Sequence, residues 1–536
     1  MTKYILIGIL VLAATLRLVG LGTNPPSLYW DEVSLGYNAY SILKTGKDEH
    51  GNSFPQVTFP AFGDYKPPGY IYAAVPSIAV FGLNEFAVRF PSAIAGFFAV
   101  FLTYLLALRL FRRADVALVA ALLLALSPWH INLSRAAFEA NLATTFVLAA
   151  VYWFVRGVQG SGVWFVLAAL FAAFSMHTFN AHRLFTPLLF MGFGFLFLKQ
   201  LWERRALIVV SLLIAGLFLF PLVQHLRSDE GQLRFQEVSI FTDLEPIKQS
   251  NEWIEKDSNV WWANIIHNRR VLFAFQFFQH YLHHWNGMYL FVTGDMNPRF
   301  SVQTVGQLYL VELPFLILGW FWLFRKKENA RWILLWWFLI APIPAAMARE
   351  TPHALRTMMI LPTFQLVTAY GWLSMLNGIK RESSRRWLIA ASAMLFAVSV
   401  GIYLWTYWVT YPVQYAGVWQ YGYKQAIERV RPIMDDYDEI VMTTVYGRPY
   451  IYWLFYLHYP PGVFQTDRGR IFQDQYGFYH VGGFDKLTFR DIAWEHEVLD
   501  GKKLFIAFPG HIPANVPRLF TIDGPNGERI FDVVEG

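Results

Sequence analysis

The chain has 536 residues, 55% of them hydrophobic and only 15% charged, against about 25% charged in an average soluble domain, which argues against a water-soluble protein. Its formal charge of +6 is gathered in short Lys and Arg clusters between apolar runs, a membrane-topology signal and not a nucleic-acid-binding stripe. The chain has no cysteine, so disulfides, thiolate metal sites and cysteine nucleophiles are ruled out.

The first apolar run, Tyr4 to Leu21, follows a single Lys3 and meets no small-residue cleavage site before Asn24-Pro25-Pro26; it reads as an uncleaved membrane helix. Crossing about 30 Å of hydrocarbon takes about 20 apolar residues. Further runs suited to this lie near residues 88–109, 115–132, 141–156, 162–179, 184–199, 206–224, 306–324, 331–348, 355–378 and 387–408. Between them stand Arg109, Arg112 and Arg113, then Arg156, then Lys199, Arg204 and Arg205. Arg325, Lys326, Lys327 and Arg331 follow, and then Lys380, Arg381, Arg385 and Arg386. All of these fall on one side if about eleven spans start from an inner N-terminus, and the inside-positive bias makes that side cytoplasmic. Pro67 to Leu83 competes for the count, but Pro67-Pro68 opens it and Gly82 closes it, so it reads as a helix in or under the interface.

Two long outer segments, 22–87 and 225–305, remain, together with a more polar region over 409–536. That region carries a helix-like stretch from Tyr423 to Arg431, a strand-like Glu439 to Thr444, a strand from Lys503 to Ala507 and a hairpin around Asn526-Gly527. The expectation is an all-α polytopic membrane domain over residues 1–408, followed by a small extracytoplasmic α/β domain over 409–536, in the cytoplasmic membrane.

The side assignment uses only inner Lys and Arg, so the placement of the other ionisable residues is an independent observation. They gather on the outer side: Asp31 and Glu32, Asp48-Glu49-His50, Asp64-Tyr65-Lys66, Arg135 with Glu139, His177 with Arg183, Asp295 with Arg299, and Arg349 with Glu350, His353 and Arg356. Ionisable groups at a membrane boundary are costly unless paired or functional. Several cations and a few carboxylates suit a substrate with an anionic head and a lipid tail, such as a sugar joined to a polyprenyl phosphate. Transfer to a hydroxyl needs a base for the acceptor proton and cations for the departing phosphate. One carboxylate and a cationic clamp suffice for displacement with inversion, whereas retention needs a second, nucleophilic carboxylate.

Asp31 is the candidate base, and Asp31-Glu32 also suits an N-cap and first turn of a helix near Val33. Lys66 either binds phosphate or snorkels at the interface. Arg135 and Glu139 are spaced for an i, i+4 helix pair, and His177 beside Arg183 suits a hydrogen-bonded interface residue as well as a ligand. Arg349, His353 and Arg356 stand where an outer loop should be poor in cations.

The order Trp30-Asp31-Glu32, Asp64-Tyr65-Lys66-Pro67-Pro68, Arg89-Phe90-Pro91-Ser92, Ser134-Arg135 to Glu139, Gly294-Asp295 and Pro352-His353-Ala354-Leu355-Arg356 resembles the GT-C glycosyltransferases over about residues 1–410. Within them it is most similar to the protein O-mannosyltransferase-like family, with the lipid A aminoarabinose transferases as near relatives. The resemblance implies a GT-C fold, with Asp31 as the essential carboxylate and Glu139 supporting it. It further implies that Tyr65, Lys66 and Arg183 contact lipid phosphate. From their gathering on the outer side, Glu32, Asp64, Arg135, His177, Arg349, His353 and Arg356 are the further candidate substrate-binding residues, Arg356 joining Lys66 and Arg183 on the phosphate. Glu139 stands where many relatives have Asp. No β-trefoil insert is evident, so a protein acceptor is not implied.

The expected function is therefore an inverting glycosyltransferase moving a sugar from a polyprenyl-phosphate donor to an extracytoplasmic acceptor, a protein hydroxyl or an envelope glycan. Its partners are that donor, the acceptor and the bilayer, with no nucleic acid. The rival enzyme is a lipid A-type glycolipid-modifying transferase, and rivals of other classes are a lipid-linked sugar transporter or a membrane receptor. Transporters tend to carry internal repeats and charged or broken helices at mid-membrane. Neither is evident here apart from Arg17, which stands near the outer end of span one and is expected to reach the interface. The residues assign no cofactor, and a divalent metal is compatible with the outer carboxylates.

Overall fold

The computed structural model describes every residue except 63, 229–230, 232–238, 468–469, 474–478 and 498–500. Helices stand where the apolar runs place them, but they differ in length. Glu85–Phe111, Glu139–Gln159, Arg205–Leu226 and Glu382–Gln414 are each long and apolar enough to cross a membrane. Two further candidates are bent pairs, Ala114–Leu126 with Pro128–Ser134 at 56° and Ala354–Ile360 with Thr363–Gly378 at 53°. Thr2–Leu18, Trp164–Thr178, His182–Leu196, Leu313–Arg325 and Arg331–Ile340 are shorter helices at the remaining predicted spans. The two bends share a cause: a residue before proline is pushed out of the helical region, and Ser127 and Leu361, preceding Pro128 and Pro362, are extended with ψ of 125° and 141°.

Exposure separates lipid-facing from interior helices. The most apolar windows of Arg205–Leu226 and Glu382–Gln414 have mean hydropathy of 2.8 and 2.0, yet only 11% of each is buried, against 78% for Glu139–Gln159. Apolar surface of that extent is covered by lipid, not water.

The chain divides into two compact units. The first comprises Met1–Leu16, Ala95–Leu133 and Glu139–Tyr403. In it Leu313–Arg325 packs on Thr363–Gly378 so closely that a methyl group on Gly371 would lie 2.0 Å from the Phe315 carbonyl oxygen; small residues give membrane helices this approach.

The second unit comprises Arg17–Ile94, Ser134–Phe138 and Leu404–Gly536. The first long outer segment and the C-terminal region thus share one unit, whereas the sequence alone suggests a boundary at residue 408. Helix Trp30–Thr45 leads to a two-stranded hairpin, Phe59–Ala61 with Asp64–Lys66, and to helix Pro68–Phe81, closed by Gly82 with φ of 78°. The C-terminal part is a mixed six-stranded sheet in the order Gly483–Phe484, Leu487–Phe489, Glu439–Met442, Lys503–Ala507, Arg529–Glu535, Phe520–Asp523. Glu439–Met442 runs parallel to both its neighbours and the outer pairs are antiparallel. Val441, Phe505, Ala507 and Val534 form the core on one face, as expected of a buried central strand. Hydrogen bonds tie this part to the first segment: Tyr37 Oη donates to the Tyr459 carbonyl (2.9 Å), and the Trp30 amide donates to Gln420 Oε1 (3.0 Å).

Candidate active site

Asp31 and Glu32 are adjacent but do different work. Glu32 is buried. Its Oε1 accepts from Arg89 Nε (2.9 Å) and the Ala137 amide (2.8 Å), and its Oε2 from Arg89 Nη2 (3.1 Å) and the Tyr29 amide (3.0 Å). A carboxylate offers about four lone-pair positions, and all are filled. Arg89 spends its remaining donors on main-chain carbonyls, with Nη1 donating to Leu21 (3.1 Å) and Pro25 (2.8 Å) and Nη2 to Ser27. All five guanidinium donors are therefore used. Arg135, also fully buried, fastens the same segment: Nη2 donates to the Gly20 and Asn24 carbonyls (3.1 and 2.9 Å) and Nε to Tyr407 Oη (3.1 Å), and the guanidinium lies 4.4 Å from the Trp408 ring centre. These bonds fix the chain from Gly20 to Ser27, which delivers Asp31.

The helix begins at Trp30, not near Val33, with Tyr29 as its cap. The reach-back to the cap amide comes from Glu32, so Asp31 is not the capping residue. Its side chain is 34% exposed against 1% for Glu32, and Oδ1 lies 2.8 Å from Lys66 Nζ. Lys66 Nζ also lies 3.1 Å from Asp64 Oδ2. The hairpin explains this grouping. Its register pairs Ala61 with Asp64 and Phe59 with Lys66, and the period of two in a strand puts Asp64 and Lys66 on one face and Tyr65 on the other. Tyr65 is buried there. Arg448, at the start of helix Pro449–Tyr456, lies 5.7 Å from the Phe62 ring centre at the hairpin turn. Nothing in the sequence singles it out.

Several other predicted residues also make contacts within the fold. Glu32 and Arg135 are the anchors described above, and Arg135 and Glu139 do not stand on one helix: helix Pro128–Ser134 ends before the first, and the second opens helix Glu139–Gln159. At that helix N-terminus the macrodipole favours a carboxylate. His177 Nε2 is 2.9 Å from the Phe218 carbonyl oxygen, the interface role already considered, and Arg183 Nε donates to the Met176 carbonyl (3.4 Å). Arg17 is fully buried and does not reach the interface.

The first unit holds a second polar cluster. Asp295 is buried, with Oδ2 accepting from the Ala354 amide (2.6 Å) and Oδ1 from the Asn297 amide (2.8 Å); burial raises its pKa to about 6. His353 caps Ala354–Thr357 through Nδ1, which accepts from the Arg356 amide (3.4 Å), and its ring lies 4.9 Å from that of Phe300. Burial pushes its pKa well down, so its 4.0 Å approach to Glu350 is not an ion pair at neutral pH. His353 is thus a neutral structural cap. His284 beside it is lowered to about 4, again by burial, and its Nε2 accepts from the His353 amide (3.3 Å). Arg356 is half-buried, and Arg349 is exposed, touching Thr242 Oγ1 at 3.5 Å. Among the described residues no three His, Asp or Glu side chains stand close enough together to hold a metal ion.

A multi-pass membrane protein carrying a fastened acidic turn and an opposed lysine is the class that fold and site define. A family model described as dolichyl-phosphate-mannose-protein mannosyltransferase matches residues 65–226. Among solved structures, ArnT from Cupriavidus metallidurans bound to undecaprenyl phosphate aligns with TM-score 0.52 at 14% identity, over 98% of this chain and 97% of that one. Its apo form gives 0.53 at 12% identity, with the same coverage. The oligosaccharyltransferase AglB from Archaeoglobus fulgidus, in complex with an inhibitory peptide and a dolichol-phosphate, aligns with TM-score 0.51 at 12% identity over 85% of this chain. The alignment spans 63% of AglB's own length. A search of curated proteins returns no match. At these identities the structures show the fold alone, and the family match over residues 65–226 supports a glycosyltransferase related to the protein O-mannosyltransferases.

Proposed function

We propose that the chain moves a sugar from a polyprenyl-phosphate donor to an extracytoplasmic hydroxyl acceptor, a protein side chain or an envelope glycan, by single displacement with inversion. The observation that carries this reading is the division of labour in Asp31-Glu32: one carboxylate is consumed in a closed network while its neighbour stays accessible against Lys66. Asp31 accepts the acceptor proton as the acceptor oxygen attacks the anomeric carbon. The bond from that carbon to the phosphate oxygen breaks, and the phosphate leaves with the electron pair. Phosphate departs without protonation, so a cation suffices at the leaving oxygen, and Lys66 has the placement for it. Arg183 and Arg356 are proposed as further phosphate ligands and Glu139 as a supporting carboxylate. The undecaprenyl phosphate of ArnT and the dolichol-phosphate of AglB support a lipid-phosphate donor.

The test is incubation of the purified protein with radiolabelled polyprenyl-phosphate sugars and membrane extract. Label passing to an extract component, with release of the polyprenyl phosphate, is the expected result. Label moving intact with its lipid, or no transfer from any donor in the panel, overturns the reading.

A further inference from the structure

Beyond the Asp31 cluster, helix Trp30–Thr45 supports a second polar site. Asn38 stands seven residues after Asp31, about 10 Å along the axis at 1.5 Å per residue. Its Oδ1 accepts from the Glu49 amide (3.0 Å) and its Nδ2 donates to Glu49 Oε1 (3.1 Å). Glu49 is fully buried, and among the described residues its Oε2 has no hydrogen-bond partner. Neighbouring Asp48 differs: it accepts from the His50 and Asn52 amides (2.9 and 2.8 Å) and from Asn52 Nδ2 (2.8 Å). A buried acceptor left without a donor costs about 1–3 kcal/mol, and such exceptions call for a cause.

Glu49 lines a cavity of about 230 Å³, room for more than one water at about 30 Å³ each. Its other walls include His50, Gln465, Phe472, Gln473 and Tyr479. The His50 and Tyr479 rings are stacked, with centres 3.9 Å apart and planes at 9°. Gln465 is held in place by Nε2, which donates to Ser41 Oγ, Thr45 Oγ1 and the Asp48 carbonyl (3.0, 3.0 and 2.8 Å). The wall is mixed: a carboxyl group, two carboxamides and aromatic faces.

We propose that this cavity is a saccharide subsite that takes one sugar ring of a glycan acceptor. A sugar hydroxyl supplies the donor that Glu49 Oε2 lacks, the carboxamides serve further hydroxyls, and the apolar C–H face of the ring lies against an aromatic face, whose π cloud carries partial negative charge. A phosphate would meet a carboxyl group, and among the described residues no three His, Asp or Glu side chains gather there to hold a metal. Burial raises Glu49 to about 8, so at neutral pH its carboxyl is mostly protonated and both donates and accepts, as a polyol requires.

The subsite rests on the transferase reading, since it names the acceptor class as a glycan. It is tested apart from transfer, by saturation-transfer-difference NMR on the full chain in a detergent without a sugar headgroup, titrated with free hexoses, pentoses and N-acetylhexosamines. At least one sugar should receive saturation. Its affinity should fall at least fivefold in Tyr479→Ala and in Glu49→Gln, and persist in Asp31→Asn. Absence of binding by every sugar, or binding unchanged in both cavity variants, overturns the subsite. Binding of tetramethylammonium in place of the sugars would make the cavity a cation site and overturns it equally. If sugar binding fails while Asp31→Asn still abolishes transfer, only the subsite falls; if sugars bind and no donor is turned over, only the transferase reading falls.

Discussion

Two adjacent carboxylates with opposite fates make a sharp test of single residues. Asp31→Asn keeps the size of the side chain, and the helix start stays held by Glu32, so the variant should insert and fold normally. An amide cannot take a proton at neutral pH, so sugar transfer should fall by about 10²–10⁴-fold while donor binding remains, as measured by turnover and donor affinity on the same preparation. A folded variant with near-parental turnover would move the base to Asp64 or Glu139. Arg89→Met does the reverse: it leaves Glu32 buried without its cation, at a cost of about 3–5 kcal/mol. Thermal unfolding in detergent should reveal this loss, and the double variant with Glu32→Gln should recover part of it. Sequence reasoning singles out Asp31 because the first carboxylate after a membrane span is conspicuous. It does not separate Asp31 from Glu32, because the groups that consume Glu32 come from Arg89 and Ala137, distant in the chain. An arginine just inside an apolar run is the signal that could have found the anchor.

The elements that carry these residues were legible to different depths. The hairpin Phe59–Ala61 with Asp64–Lys66 was not foreseen, and with it the alternation that turns Tyr65 away from Asp64 and Lys66. The apolar runs showed where helices lie but not that Pro128 and Pro362 bend two of them. The hydrogen bond joining the Ala354 amide to Asp295 gives a prediction in pH. Burial raises the Asp295 pKa from 3.8 to about 6. A carboxyl with a raised folded-state pKa stabilises the fold fully below its unfolded value, and that contribution is lost as pH rises through the folded value. Here the window runs from about pH 4 to about pH 6, and two units correspond to about 3 kcal/mol. Asp295→Asn stays neutral throughout. Its melting temperature should match the parent near pH 4 and exceed it progressively toward pH 7, and a pH-independent difference would show that the buried carboxyl does not titrate in this window.

For the molecule as a whole, orientation decides which compartment supplies the substrates. Glu382–Gln414 is one continuous helix whose most apolar window is only 11% buried, so it crosses lipid and passes directly into the C-terminal sheet region. Arg381, Arg385 and Arg386 stand at its start, where the inside-positive bias puts the cytoplasm, so its far end should emerge outside. The basic residues Arg109, Arg112 and Arg113, then Arg156, then Lys199, Arg204 and Arg205 agree with this only if Pro68–Phe81, at 14 residues, does not cross, since about 20 are needed to span the hydrocarbon. A reporter active only in the cytoplasm, fused after Gly536, should therefore stay silent, and one active only outside should report. The same pair fused after Arg381 should give the opposite result. Cytoplasmic activity at Gly536 would invert every loop and put Asp31 and Lys66 on the side where nucleotide sugars are made, removing the reason for a lipid-linked donor.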